Sequence, residues 1–185
     1  MMKKLTAIGL IEFTAIHAGI GAADGMLKTA SVEPFMMKTL CPGKFIAGVH
    51  GEIGAVQSSV ATGLGLYPST VADSFTIPNV HPDVVTALSG CTRITKQGAL
   101  GVIETFSVAS AILAADEAVK AADIDLLEIR TALGLGGKGY VLLSGDIGAV
   151  EAAVGSGMRK VEERGLLVGT TILPRPDKTL LQQLT

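Results

Sequence analysis

One cysteine stands in a short turn, where its side chain could carry redox or metal chemistry. Cys41 is followed by Pro42 and Gly43 and lies between Lys38 and Lys44. Nearby cations favour the thiolate form of a cysteine, which is the form that binds metals and acts as a nucleophile. A free cysteine is also commonly a small, buried apolar side chain. The turn therefore makes Cys41 a candidate functional residue without fixing its role.

A single thiolate per chain is too few ligands for a metal cluster, since iron–sulfur clusters are usually held by four cysteines. Three chains around a threefold axis could supply three thiolates, but the residues alone do not reveal such an axis. Cys91 has no partner at chelating spacing, and His17, His50 and His81 show no metal-ligand spacing. The residues alone leave three roles open for Cys41: a buried apolar side chain, the nucleophile of a redox enzyme, or one ligand of a metal site shared between chains.

The glycines of a second loop match a dinucleotide-binding motif only in their letters. Gly134, Gly136 and Gly139 give G-x-G-x-x-G, but phosphate binding requires a helix after the motif. Here the apolar segment Tyr140–Leu143 follows and predicts a strand. Lys138 is not followed by the Ser or Thr of a phosphate-binding loop. We expect instead a flexible loop whose backbone closely approaches a neighbour.

The segments around these loops occur twice in the chain. AIGLIEF at Ala7–Phe13 pairs with ALGVIET at Ala99–Thr105, an offset of 92 residues. GEIGAV at Gly51–Val56 pairs with GDIGAV at Gly145–Val150, an offset of 94. The second copy therefore has two extra residues, and they fall in the loop that corresponds to the Cys41 loop of the first copy. The chain is therefore predicted to be a tandem duplication.

Each copy is predicted to have the order β-α-β-β-α-β, an α/β (α+β) fold with helices on one face of a mainly antiparallel sheet. We place the two domains at residues 5–90 and 98–185. In each copy an apolar stripe with helical spacing predicts a helix face against the core. The stripe comprises Ile16, Ile20, Ala23, Leu27 and Ala30 in the first copy and Val108, Ile112, Ala115, Val119 and Ala122 in the second.

Two carboxylates occupy matching strand positions in the copies. Glu12 and Glu104 are separated by the offset of 92 residues. A paired-carboxylate site would need them to converge within a few ångströms. Their matched positions indicate instead one structural role played twice, such as bonding a neighbouring backbone amide.

Composition excludes several classes of function. The chain is 48% hydrophobic with a net charge of −2, which suggests surface buried against sister subunits. No apolar run approaches the roughly 18 residues of a membrane helix, and no basic patch favours nucleic acid. Two cysteines without paired spacing fit a reducing cytoplasm. We therefore expect neither nucleic-acid nor membrane partners.

The repeated motifs carry a family resemblance. GLIEF, AADGMLKTA and GEIGAV, with GVIET, AADEAVKAA and GDIGAV in the second copy, resemble the shell-domain signature of bacterial microcompartments over essentially the whole chain. The resemblance implies a structural protein rather than an enzyme. It implies two unpermuted shell domains per chain and a homotrimer that forms a pseudohexameric tile. The tile would contact other shell proteins laterally in a cytoplasmic microcompartment shell.

Within that family, KTLCPGKF is similar to the pore loop of the propanediol-utilisation type that carries an iron–sulfur cluster. The resemblance implies that Cys41 from three chains ligates one [4Fe–4S] cluster per trimer. The cluster would transfer electrons to a redox partner enzyme or be delivered across the shell. The alternative is a pore that conducts small metabolites with no cluster bound. The implied pore-lining residues are Leu40, Pro42, Gly43, Gly134, Leu135, Gly136 and Gly137.

The resemblance also assigns residues to the edges of the tile. Lys28 and Lys120 match the family's edge lysine, and Arg175 in LPRP matches its edge arginine. The first copy departs from the pattern, because Asn79 stands where the arginine would be. We therefore expect two kinds of tile edge.

Overall fold

The central strand of the first copy is an apolar run interrupted by one carboxylate. In the computed structural model, which describes residues 7–90, 92, 98–131 and 134–184, all seven residues of Ala7–Phe13 are buried. A strand that is buried on both faces is expected to be apolar throughout. Cys91 lies outside the described residues.

The secondary-structure elements repeat in the same order in the two copies. Those of the first copy are β1 (Ala7–Phe13), α1 (Ile16–Thr29), β2 (Val32–Leu40), β3 (Lys44–Gly51), α2 (Ile53–Leu66), a 3₁₀ turn (Pro68–Thr70), β4 (Val71–Ile77) and α3 (Pro82–Leu88). Those of the second copy are β5 (Ala99–Thr105), α4 (Val108–Ala121), β6 (Asp125–Thr131), β7 (Gly139–Gly145), α5 (Ile147–Glu162), β8 (Leu167–Leu173) and α6 (Lys178–Leu184).

Each copy forms a four-stranded antiparallel sheet. The strand orders are β2-β3-β1-β4 and β6-β7-β5-β8. The registers of the central pairs match as well, with Ile11 opposite Ala47 and Ile103 opposite Val141. These features confirm the predicted fold class and the β-α-β-β-α-β order.

Small residues let helix α1 lie close to its sheet. Ala18 and Ala22 of this helix are fully buried. A Cβ added at Gly19 would lie 2.6 Å from atoms of the Phe45 side chain, so only glycine fits there. The predicted stripe is wrong for α1, because its larger members face solvent. The exposed members, with their exposed fractions, are Ile16 (38%), Ile20 (55%) and Leu27 (38%).

The matching stripe of the second copy is buried except at Ala122, which is half-buried. Val108, Ile112 and Ala115 are fully buried, and Val119 is nearly so. The same apolar pattern is thus covered on α4 and largely uncovered on α1.

The chain divides into two compact units whose limits differ from those of the sequence copies. The first unit comprises the chain up to Val80 together with residues 134–137, and the second comprises His81–Thr131 and residues 138–184. Helix α3 therefore belongs to the second unit, where the backbone N–H of His81 donates to Asp116 Oδ1 at 2.8 Å.

The last helix covers part of the second sheet. Leu181 and Leu184 of α6 pack on the buried cluster of Leu100, Leu127 and Leu142. None of the helices in the part of the chain that the structure describes is long and apolar enough to cross a membrane.

Candidate functional site

The hairpin formed by β2 and β3 presents Cys41 to solvent. Leu40 opposite Lys44 is the last pair of the hairpin, and the backbone N–H of Gly43 donates to Leu40 O at 3.0 Å. Gly43 has φ +85, a conformation that favours glycine. The Cys41–Pro42 peptide bond is cis. Cys41 is exposed and is not part of a disulfide, so the structure excludes its reading as a buried core side chain.

The second loop lies against this turn. Gly137 has φ +88, and a Cβ at that position would lie 3.0 Å from Lys44 Nζ and 3.3 Å from Pro42 Cδ. The expected close approach of the loop backbone to a neighbour is therefore confirmed. Strand β7 follows the loop, which agrees with rejecting the dinucleotide motif.

Each loop is followed by a lysine that forms an ion pair with the central strand of its sheet. Lys44 Nζ lies 2.8 Å from Glu12 Oε1, and Lys138 Nζ lies 2.8 Å from Glu104 Oε1. The repeated structural role of the two carboxylates is confirmed, while the lysine partner was missed. The signal was present, because the two lysines are related by the offset of 94 residues that the second half of each copy follows.

The predicted pore residues differ in exposure. Leu40 is 3% exposed, so its side chain packs inside the described chain. Pro42 and Gly43 are exposed together with Cys41, whereas Leu135 is half-buried. Gly134 and Gly136 are exposed and have positive φ angles of 76° and 61°. The structure therefore brings the Cys41 turn and residues 134–137 together in one unit.

The donor set fits a metal site only if it is shared between chains. Among the described residues there is no group of three or more His, Cys, Asp or Glu side chains that could hold a metal ion. Cys41 supplies one soft, exposed sulfur ligand, and thiolates are the ligands that iron–sulfur clusters require. One chain alone does not make such a site.

The two predicted edge lysines have different surroundings. Lys28 is paired with Asp24 at 2.6 Å, and both side chains are mostly exposed. Lys120 is paired instead with Asp116, which is 2% exposed and also binds the backbone of His81. Burial of Asp116 restrains Lys120 more than Lys28, because an ion pair in a less polar environment is screened less.

The two other predicted edge residues, Asn79 and Arg175, are both exposed. Their side chains are therefore accessible in the single chain.

A polar network that sequence reasoning missed flanks the second loop. Tyr140 Oη donates to Glu128 Oε2 at 3.0 Å, and Arg130 Nε lies 2.6 Å from Glu128 Oε1. Burial, and then the hydrogen bond to Glu128, raise the pKa of Tyr140 above its ordinary value. The same carboxylate raises the pKa of Arg130. This network orders the two strands that carry residues 134–137.

Known proteins share both the sequence and the fold. The BMC domain family matches residues 7–80 and 99–176. The bacterial microcompartment shell protein PduT of Citrobacter freundii is 43% identical, over 96% of this chain and 97% of that protein. The carboxysome assembly protein CcmO of Synechococcus elongatus is 26% identical, over 98% and 70%. The crystal structure of a microcompartments protein from Desulfitobacterium hafniense DCB superposes with a TM-score of 0.83 at 48% identity, covering 95% of this chain and 98% of that one.

Proposed function

This chain belongs to the BMC-domain family and is a structural protein of a bacterial microcompartment shell, and from that premise we propose that three copies form a tile whose centre binds one [4Fe–4S] cluster through Cys41. The observation that carries the proposal is the exposed Cys41 thiol at the tip of a hairpin turn. The turn is fixed by the pairing of Leu40 with Lys44 and by the hydrogen bond from Gly43 N–H to Leu40 O. An ordered, exposed thiol can meet its equivalents from other chains.

The uncovered apolar stripe of α1 supports the trimer. Ile16, Ile20 and Leu27 are exposed in the single chain, whereas the equivalent residues of α4 are buried. Exposed apolar stripes commonly mark protein–protein interfaces. In a closed ring of three identical chains, each α1 stripe would be covered by the next chain.

The residues around Cys41 suit a shared sulfur site. A bound cluster would supply one-electron transfer across the shell, and three thiolates for four irons leave one iron without a cysteine ligand. Gly134, Gly136 and Gly137 have no Cβ atoms, and all three adopt positive φ angles. A backbone without Cβ atoms can approach a neighbour closely, and in the proposed site its N–H groups would donate hydrogen bonds to sulfur, which tune clusters of this kind.

Anaerobic purification with iron and sulfide analysis tests this proposal. We expect wild-type protein and Cys41→Ser to form the same trimer, with iron and acid-labile sulfide only in the wild type. Cys91→Ser is the matched control, since it removes the chain's other cysteine, and it should retain iron. Equal iron in wild type and Cys41→Ser would overturn the assignment. A trimer without iron in every variant would favour the metabolite pore.

A further inference from the structure

Lys44 directly follows the Cys41 turn, and its ammonium group reaches the central strand and the second loop. Lys44 is the first residue of β3, three positions after Cys41, and its Nζ lies 2.8 Å from Glu12 Oε1. The same Nζ lies 3.5 Å from the carbonyl oxygen of Gly137. Gly137 also packs on Pro42, because a Cβ on this glycine would lie 3.3 Å from Pro42 Cδ. One side chain thus connects the turn, the central strand and the second loop.

The equivalent lysine of the second copy has a different environment. Lys138 and Glu104 are 43% and 40% exposed, whereas Lys44 is 18% exposed and Glu12 is fully buried. Exposed ion pairs are screened by water and restrain their partners weakly. A buried pair is held more firmly, because losing either partner leaves a charge without compensation in a poorly polar environment.

We propose that Lys44 is the positioning residue of the cluster site, which holds the Cys41 turn at a fixed distance from the Gly137 loop while Glu12 holds Lys44. This inference rests on the proposed function. It assigns to Lys44 and Glu12 the task of keeping the Cys41 sulfur where its equivalents from two other chains can share a ligand. Lys138 and Glu104 attach the second loop to its own sheet through a more exposed ion pair.

The physical reason is the limited number of ligands. With one cysteine per chain, the site has no spare ligand to compensate for a displaced sulfur. A turn that moves freely would leave the three sulfurs apart for most of the time. Lys44 also places a positive charge beside the site, and positive charge favours the reduced, more negative form of a cluster.

Two matched variants separate this role from a general effect on folding. Lys44→Met removes the ammonium group but keeps an apolar side chain of similar length, and Lys138→Met makes the same change in the second copy. Lys44→Arg keeps the charge and serves as a rescue. If Lys44→Met does not fold, the double variant Glu12→Gln/Lys44→Met replaces it, because it leaves no buried charge unpaired.

The first measurement requires no iron. A nitroxide attached to Cys41 of the apoprotein, in a Cys91→Ser background and diluted with a diamagnetic analogue, reports nanosecond motion of the turn. We expect Lys44→Met to make the label clearly more mobile, Lys44→Arg to restore most of the order, and Lys138→Met to match the parent. The same label mobility in all four proteins would overturn the inference.

The second measurement uses the anaerobically loaded trimer. We expect Lys44→Met to release iron to a chelator about tenfold faster, because losing one hydrogen bond to a charged group raises the population of the displaced turn by about that factor and iron leaves from the displaced turn. Its reduction potential should also become more negative, and Lys138→Met, which removes a more exposed ion pair, should change both properties less than Lys44→Met does. Loaded Lys44→Met with the wild-type release rate and potential would contradict the inference. If wild-type protein binds no iron, the proposed cluster fails, and label mobility alone decides the role of Lys44.

Discussion

Truncation of one exposed isoleucine should weaken the proposed trimer without weakening the fold of the single chain. Ile20 is 55% exposed in the single chain. Full burial of an isoleucine contributes about 1.5–3 kcal/mol, so covering the remaining half is worth about 1 kcal/mol per interface. A ring of three chains has three such interfaces, which gives about 3 kcal/mol per trimer. Because three monomers combine, the concentration of half-dissociation for Ile20→Ala should rise about tenfold.

Sedimentation velocity over a dilution series measures this shift, and the second copy supplies a matched control. Ile112 occupies the same repeat position on α4 and is fully buried. Ile112→Ala should therefore lower the free energy of unfolding by about 2–5 kcal/mol. Ile20→Ala should unfold at the same urea concentration as the wild type when the two proteins are compared as monomers. The reasoning is refuted if Ile20→Ala dissociates at the wild-type concentration.

Three further predictions concern the core, the second loop and alkaline pH. Met26 is fully buried, so Met26→Ala should lower the free energy of unfolding by about 2–5 kcal/mol, as measured by urea denaturation. Gly134→Ala and Gly137→Ala both place a Cβ at positive φ, but only Gly137 has a neighbour within 4 Å, so calorimetry should show the larger loss of thermal stability for Gly137→Ala. The pKa of Tyr140 is higher in the folded chain than its ordinary value of 10.0, so the neutral phenol stabilises the fold fully below pH 10.0 and this stabilisation is lost as pH rises through the folded-state pKa. Tyr140→Phe has no phenol to ionise, so it should lose less stability than the wild type above that pH in pH-dependent urea titrations. Equal losses in the two proteins would contradict the assignment.

The repeat made much of the fold predictable. Two copies of one pattern gave β1 and β5 with their observed limits, because a short apolar run that recurs at a fixed offset marks an element rather than chance. The turn at Pro42 and Gly43 was predictable as well, since few other residues favour a tight connection between strands.

The orientation of helix α1 was not predictable from its apolar spacing. This helix has two apolar faces, one of large residues such as Ile20 and one of small residues such as Ala18 and Ala22. Periodicity shows that a face is apolar but not what covers it. The small residues face the sheet because Phe45 occupies the space that longer side chains would need.

The lysine partners of Glu12 and Glu104 were missed for a different reason. Lys44 and Lys138 lie 32 and 34 residues along the chain from their carboxylates, and local patterns carry no information on such distant pairs. Comparing charged residues between the two copies would have found them. The contact between Lys44 and Gly137 could not be found in this way, because it joins a residue of one copy to a residue of the other.

Native mass spectrometry of the anaerobically purified protein tests the central claim most directly. The account predicts a trimer that carries the mass of one [4Fe–4S] cluster, a monomer that carries none, and a Cys41→Ser trimer without the added mass. Iron retained by the monomer, or by the Cys41→Ser trimer, would contradict the claim that three Cys41 side chains share one cluster.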